Sequence, residues 1–212
     1  MISTCNTPPG LVISPDLDSD ALCIKIRQSR RILMHAVLYS NFAQGPVHDA
    51  LQDRLTQPGF QRLTILALDW PLPAGIDPAF GQVLRQGLDD AALADQFARS
   101  RAWLTTLAAH PKVTVRWLQT QPYQPLLLLD DWLWLGQYAH SVVPAAAGVW
   151  QRWDLAALGT QASTLWQLAK DPDPARILAP WPNALLRPFS QCRFDLAHST
   201  PFEQGVQHDA EP

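Results

Sequence analysis

The sequence predicts an α/β protein built on a mostly parallel, mixed sheet flanked by helices on both faces. Near-continuous apolar runs of strand length stand at 31–40 and 62–70. Segments with helical spacing lie between and after them. A leucine run and a Trp-Leu-Trp-Leu run meet at two aspartates and add an antiparallel hairpin. Strands alternating with helices put helices on both faces of a parallel sheet.

Residues 1–17 are rich in Pro, Ser and Asp and read as an irregular lead-in. "DSDALCIKIRQSRR" follows, with Ser19 or Asp20 placed to cap a helix. Its apolar positions Leu22, Ile24 and Ile26 fit a strand as well as a helix. "RILMHAVLYS" (31–40) contains no breaker and reads as a buried strand. In "GPVHDALQDRLTQPGF", Val47, Leu51 and Leu55 recur at steps of four, a helix stopped near Pro58-Gly59. "RLTILALDW" (62–70) is a second buried strand, and "PLPAGIDPAFGQ" reads as a loop. Leu93, Phe97, Leu104 and Leu107 mark the apolar side of a helix from about Asp89 to His110, ended by Pro111. In "KVTVRWLQ", Val113, Val115 and Trp117 alternate with polar residues, the period of a half-buried strand. "PLLLLDDWLWLG" supplies the hairpin. Trp150 and Trp153 fit a strand turning into a helix, and "STLWQLAKD" (163–171) a helix capped by Ser163. Beyond Pro172 the chain is proline-rich. From 195 to 212 it is polar and predicted to be a disordered tail. The expected organisation is a segment 1–17, one domain over 18–194, and that tail.

Of 212 residues 47% are hydrophobic and 17% charged, a globular composition with little charge. The net charge is -3. That argues against a broad electrostatic grip on nucleic acid or anionic membrane. Arg27, Arg30 and Arg31 still form a small basic cluster. Basic residues are mostly arginine, which suits forked contacts to carboxylate or phosphate. Cys5, Cys23 and Cys192 are too few and too scattered for a disulfide framework or a metal cluster, and Cys23 is expected to be buried on a helix face. There is no visible signal peptide and no apolar run long enough to span a membrane, so the expected compartment is the cytoplasm. No metal or cofactor motif occurs: no glycine-rich phosphate loop, no Gly-x-Ser-x-Gly, no Cys/His zinc spacing.

The order of elements and the stretch "QPYQPLLLLDDWLWLGQYAHS" resemble one half of the phospholipase D-like superfamily, over roughly residues 20 to 170. That family carries His, any residue, Lys, four apolar residues and Asp, then Gly-Ser and an Asn. Here Leu126 to Leu129 match the apolar run, Asp130 the Asp and Gly136 the Gly. The resemblance implies a site where two such halves meet. There a His attacks a phosphodiester, while Lys and Asn hold the phosphate oxygens. In this chain the His position is Tyr123 and the Lys position is Pro125, and the Gly-Ser-x-Asn stretch reads Gly136-Gln137-Tyr138-Ala139.

The catalytic pattern is therefore absent. Phosphoryl transfer needs a nucleophile and cations or donors for the oxygens on phosphorus. Tyr123 lacks activation, since Pro125 brings neither a charge nor an N–H. His140 is the candidate replacement for the missing histidine. His35, inside an apolar strand, reads as a core histidine held by a hydrogen bond. His48 and His110 read as groups near helix ends. Asp130 and Asp131 are what a hairpin turn calls for. Nine tryptophans suit core packing, or an interface core.

The sequence thus points to a non-catalytic phospholipase D-like scaffold or regulatory interaction subunit, a homodimer or the partner of a second such chain. If it binds a phosphate-bearing ligand, Tyr123, Asp130, Gly136, Gln137 and His140 are the candidate contacts. The competing reading is a phosphodiesterase of nuclease or phospholipase type, with Tyr123 or His140 as nucleophile. That enzyme would need an imidazole and two guanidinium groups around one phosphate-sized hollow.

Overall fold

The computed structural model of the chain describes residues 9–139, 141–158, 166 and 183–202. The elements run β1 (Leu11–Ser14), α1 (Ser19–Gln28), β2 (Arg31–His35), α2 (Pro46–Thr56), β3 (Arg62–Ala67), α3 (Phe80–Leu84), α4 (Asp90–Ala108) and β4 (Val113–Trp117). They continue with β5 (Leu126–Leu129), β6 (Trp132–Leu135), β7 (Trp150–Asp154), α5 (Asn183–His198) and β8 (Thr200–Pro201). The eight described strands form one mixed sheet in the order β1-β7-β6-β5-β2-β3-β4-β8. β2, β3 and β4 are parallel, and every other neighbouring pair is antiparallel.

Strand alternation divides the core between the two faces. Ile32, Met34, Leu127, Leu129 and Trp134 pack with α1, α2 and the second half of α4. Leu33, Leu126, Leu128, Leu133 and Leu135 pack with α3, the first half of α4, Trp166 and α5. The four leucines of β5 are all buried because the strand has helices on both sides of it. Each contributes about 2 kcal/mol relative to an exposed position. Trp132 and Trp134 share a face as their spacing requires, with ring centroids 6.3 Å apart.

α1 is a helix although its apolar spacing was ambiguous: Leu22, Cys23 and Ile26 are buried and Ile24 faces solvent. Its cap is Asp18, whose carboxylate accepts the Ala21 N–H at 2.9 Å, not Ser19 or Asp20. Four further segments correct the sequence reading. The lead-in contains β1, which pairs with β7. The loop after β3 contains α3. Trp150 and Trp153 lie in the expected strand, but residues 155–158, where a helix was expected to follow, form a turn. The largest correction concerns the proline-rich stretch and the start of the tail, which hold α5 and β8. α5 contains Pro188, yet Leu185, Phe189, Cys192 and Leu196 recur along one side and are buried against the sheet. Packing of that face outweighs the local penalty of the proline. The expected helix 163–171 lies outside the described residues except Trp166, which is helical. Residues 203–212 of the expected tail, Cys5 and Trp181 also lie outside them.

Candidate functional site

The hairpin's two ends do different things. At the turn, Asp130 has φ 48°, a left-handed conformation that Asp tolerates better than most residues. Its carboxylate accepts the backbone N–H groups of Arg30 at 2.8 Å and Arg31 at 3.0 Å, and lies 3.6 Å from the Arg31 guanidinium. Its carbonyl accepts the Trp166 indole N–H at 3.0 Å. The Trp166 ring in turn lies beneath the guanidinium groups of Arg31 and Arg62. Both the carboxylate and the carbonyl of Asp130 are thus engaged in holding the turn against the start of β2. The Asp131 carbonyl accepts the Leu155 N–H at 2.9 Å. The structure therefore separates Asp130 from the other candidate site residues, by the length of β5, about 13 Å.

At the opposite end the chain leaves a hollow of about 830 Å³. It lies beyond the carboxyl end of β2, where the connection to β3 runs to one side and β5 lies on the other. In open α/β sheets ligands collect at such a divergence. Tyr123, Gln124, Gly136 and Gln137 line one part of it, Gln151 and Val149 another, and α5 closes it with Arg187, Ser190, Gln191 and Phe194. Three of the predicted contacts, Tyr123, Gly136 and Gln137, are thus brought together. His140 lies outside the described residues. Tyr123 is 75% exposed, and no described residue hydrogen-bonds its hydroxyl. Gly136 is required by packing: a Cβ there would stand 2.8 Å from the Pro125 ring and 2.8 Å from the Trp150 indole. Its N–H donates to the Pro125 carbonyl at 3.0 Å, so Pro125 is a wall of the hairpin mouth. Tyr138 is turned away into the core, where its oxygen accepts the Val37 N–H at 2.9 Å. Burial pushes its phenol well above the ordinary range.

The sequence reading did not foresee the polar centre of the site. His35, at the end of β2, lies on the hollow's wall and is only 2% exposed. Its Nε2 lies 2.7 Å from the carboxylate of Asp195, itself 1% exposed. Gln191 donates to both carboxylate oxygens at 2.9 Å, and the Thr120 hydroxyl donates a short hydrogen bond to one of them. The core histidine held by a hydrogen bond is there, but its other ring nitrogen, Nδ1, is buried without a partner. A carboxylate on one ring nitrogen fixes a histidine's orientation. Beneath the pair, burial and the Asp195 charge push the Cys192 thiol far up, so it stays protonated. Asp195 had been assigned to the tail. The signal that would have found it is the apolar spacing of α5, which places Gln191 and Asp195 one turn apart.

His48 and His110 serve the fold. His48 Nδ1 accepts the Trp103 indole N–H at 2.9 Å, and His110 Nδ1 the Lys112 N–H at 3.2 Å. Of the basic cluster, Arg27 faces Asp53 at 3.3 Å and Arg31 faces Asp130. No described tryptophan is fully exposed, and most are buried. Among the described residues no group of His, Cys, Asp or Glu could hold a metal ion. No helix among them is long and apolar enough to cross a membrane.

No family model matches the chain, and no curated protein matches it. Solved structures do. One is the archaeal chromatin protein TrmBL2, described as showing a novel mode of DNA binding: 13% identity, TM-score 0.38, over 78% of this chain and 55% of that one. Another is the phosphatidylserine synthase of Haemophilus influenzae Rd KW20: 11% identity, TM-score 0.43, over 87% of this chain and 45% of that one. The chain spans about half the length of each.

Proposed function

We propose that this chain is a phospholipase D-like half that has lost its chemistry and works as a binding subunit, with the hollow between the hairpin mouth and α5 as its ligand site. One observation carries the reading. The positions at which attack and charge neutralisation would begin are held by an exposed, unactivated phenol, Tyr123, and by Pro125, buried against Gly136. The hollow has one guanidinium on its described walls, Arg187, and that residue is exposed. A phosphodiester would lack the cations that stabilise its transition state. The exposed apolar groups at the mouth, Tyr123, Val149 and Phe194, suit a second copy of the chain or a second chain of like fold. The tryptophans no longer support that interface, because those described are packed into the fold.

A second reading is favoured by one feature. His35 backed by Asp195 is the pairing a general base uses, and it would make the chain a phosphodiesterase with a non-standard site. Hydrolysis of bis(p-nitrophenyl) phosphate by the native chain, Tyr123→Phe and His35→Ala separates the two. We expect no turnover above buffer in any of them. Turnover in the native chain that one substitution removes makes the chain an enzyme. The mass in solution, measured alongside, is expected to be that of a dimer, and a monomer would leave only docking on another chain.

A further inference from the structure

We infer that the groove between α2 and α4 binds the phosphate group of a small molecule, with the Arg99 guanidinium and the His48 Nε2–H as its donors. This site is separate from the hollow at the hairpin mouth and does not depend on it.

The groove lies where the chain after β2 passes between the start of α2 and the second half of α4. It encloses about 400 Å³ and is lined by Ser40, Gln44, His48, Arg99, Trp103 and Thr106, with two alanines. Its frame is fixed by hydrogen bonds. The Ser100 hydroxyl accepts the Tyr39 N–H at 3.1 Å, and the Ser40 hydroxyl donates to the Gln96 side-chain oxygen at 2.6 Å. The chain after β2 is thus tied to α4 twice. α2 is tied to α4 by the Trp103 indole N–H, which donates to His48 Nδ1 at 2.9 Å.

That last bond decides where the His48 ring proton lies. An indole N–H only donates. A proton on Nδ1 would face it, donor against donor, so Nδ1 is bare and Nε2 carries the proton. Nε2 has no partner among the described residues. It is not a buried atom either, so its N–H reaches solvent, unlike the buried Nδ1 of His35. Arg99 stands one turn before Trp103 on α4, which puts both on one face of the helix. It is exposed and makes no ion pair among the described residues.

No carboxylate lines the groove, on a chain whose net charge is -3. Asp49 and Asp95, the acidic neighbours of His48 and Arg99 along α2 and α4, are exposed, stand outside the lining and do not pair with Arg99. Ser40 and Thr106 spend their hydroxyl protons within the protein, so binding rests on the two N–H donors. A guanidinium fork takes two oxygens of an anion. A carboxylate is then used up, whereas a phosphate monoester has a third oxygen for the His48 N–H. The volume leaves room for the organic part of such an ester.

The test uses the whole chain, with inorganic phosphate, glycerol 3-phosphate, acetate and glycerol as probes. Affinity is read by calorimetry, and ¹⁵N-histidine NMR reads His48 directly. We expect a bare Nδ1 and a protonated Nε2 in the free chain. Both phosphate probes should bind and shift the Nε2 resonance, while acetate and glycerol should not. Tighter binding of glycerol 3-phosphate than of inorganic phosphate assigns the groove to an ester, and equal binding to the free ion. Arg99→Gln should weaken phosphate binding about tenfold, the equivalent of one charge-assisted hydrogen bond, and Arg101→Gln, on another face of α4, should leave it unchanged. Arg99 is exposed, so its variant tests the site without disturbing the core. Trp103→Phe, which frees the His48 ring, should weaken binding and let the proton exchange between the two ring nitrogens. Phosphate binding that survives Arg99→Gln intact overturns the inference, as does a protonated Nδ1 in the free chain. Binding lost in Arg187→Ala instead places the phosphate in the hollow at the hairpin mouth and also overturns it. So does the absence of binding by either phosphate probe.

Discussion

Asp130 and Asp195 are the two carboxylates on which this fold turns, and they stand at opposite ends of the central strands. Asp130 is half-exposed, sits in a tight turn, and accepts backbone N–H groups. Asp195 is buried in a helix, and its described carboxylate partners are side chains, on β2, on α5 itself and after β4. The first lies in the stretch that resembles a catalytic motif yet does architectural work. The second lies where the sequence looks least ordered, yet it organises the hollow. The resemblance drew residues from both ends of the hairpin into one set of candidate contacts, and the fold sets Asp130 apart from Tyr123, Gly136 and Gln137.

Replacing each carboxylate sharpens that contrast. Asp195→Leu strands His35 without a partner at either nitrogen and leaves Gln191 and Thr120 without their acceptor. Removing a buried acceptor shared by three side chains leaves buried polar groups unsatisfied, at about 1–3 kcal/mol for each. Urea denaturation should show a loss of that order. A loss below about 1 kcal/mol would show that α5 is held by its apolar face alone. Gly136→Ala comes next. Its methyl would press on Pro125 and Trp150, both buried, and overpacking of this kind costs about 2 kcal/mol. Asp130→Ala loses two hydrogen bonds and places alanine at positive φ, for about 1.5 kcal/mol. Asp130→Asn keeps the turn conformation and should lose less. Neither Asp130 variant should disturb the His35–Asp195 contact, read by the His35 ring resonances in ¹⁵N NMR. If one does, the two ends of the hairpin are coupled and the comparison fails.

The parts that were legible in the sequence are those whose signal is local. β2 and β3 announce themselves by apolar runs, α4 by Leu93, Phe97, Leu104 and Leu107, and β4 by strict alternation. Tyr123, Gly136 and Gln137 were grouped by the family resemblance, and the hairpin register brings them to one mouth. α5 was hidden because Pro188 and its proline-rich approach mask an apolar spacing that only the sheet face makes favourable. Asp195 was hidden with it. His35 could be seen as a core histidine, but the nature of its partner, 160 residues away, is a property of the topology. Asp130 was legible as a turn residue because turn chemistry is local, even though its N–H partners are remote.

The smallest expected difference between the two ends appears in alkali. Near the hollow, burial raises the Cys192 thiol above its ordinary value of 9.0 and the Tyr138 phenol above 10.0, and the Asp195 charge adds to both. The folded chain therefore keeps protons that the unfolded chain gives up. Where the unfolded state binds fewer protons, stability falls with rising pH. The contribution of these groups is complete below the ordinary thiol value and is lost as pH climbs from about 9 toward the folded values. The Asp130 end has no thiol or phenol among its described contacts; its groups are Asp130, Arg31 and Arg62. Urea midpoints measured across that alkaline range should fall for the native chain. They should fall less steeply for Cys192→Ala, which removes the thiol, and as steeply as native for Asp130→Asn. An equal slope in Cys192→Ala would mean that the alkaline loss arises elsewhere, and the hollow would then be no more sensitive to base than the turn.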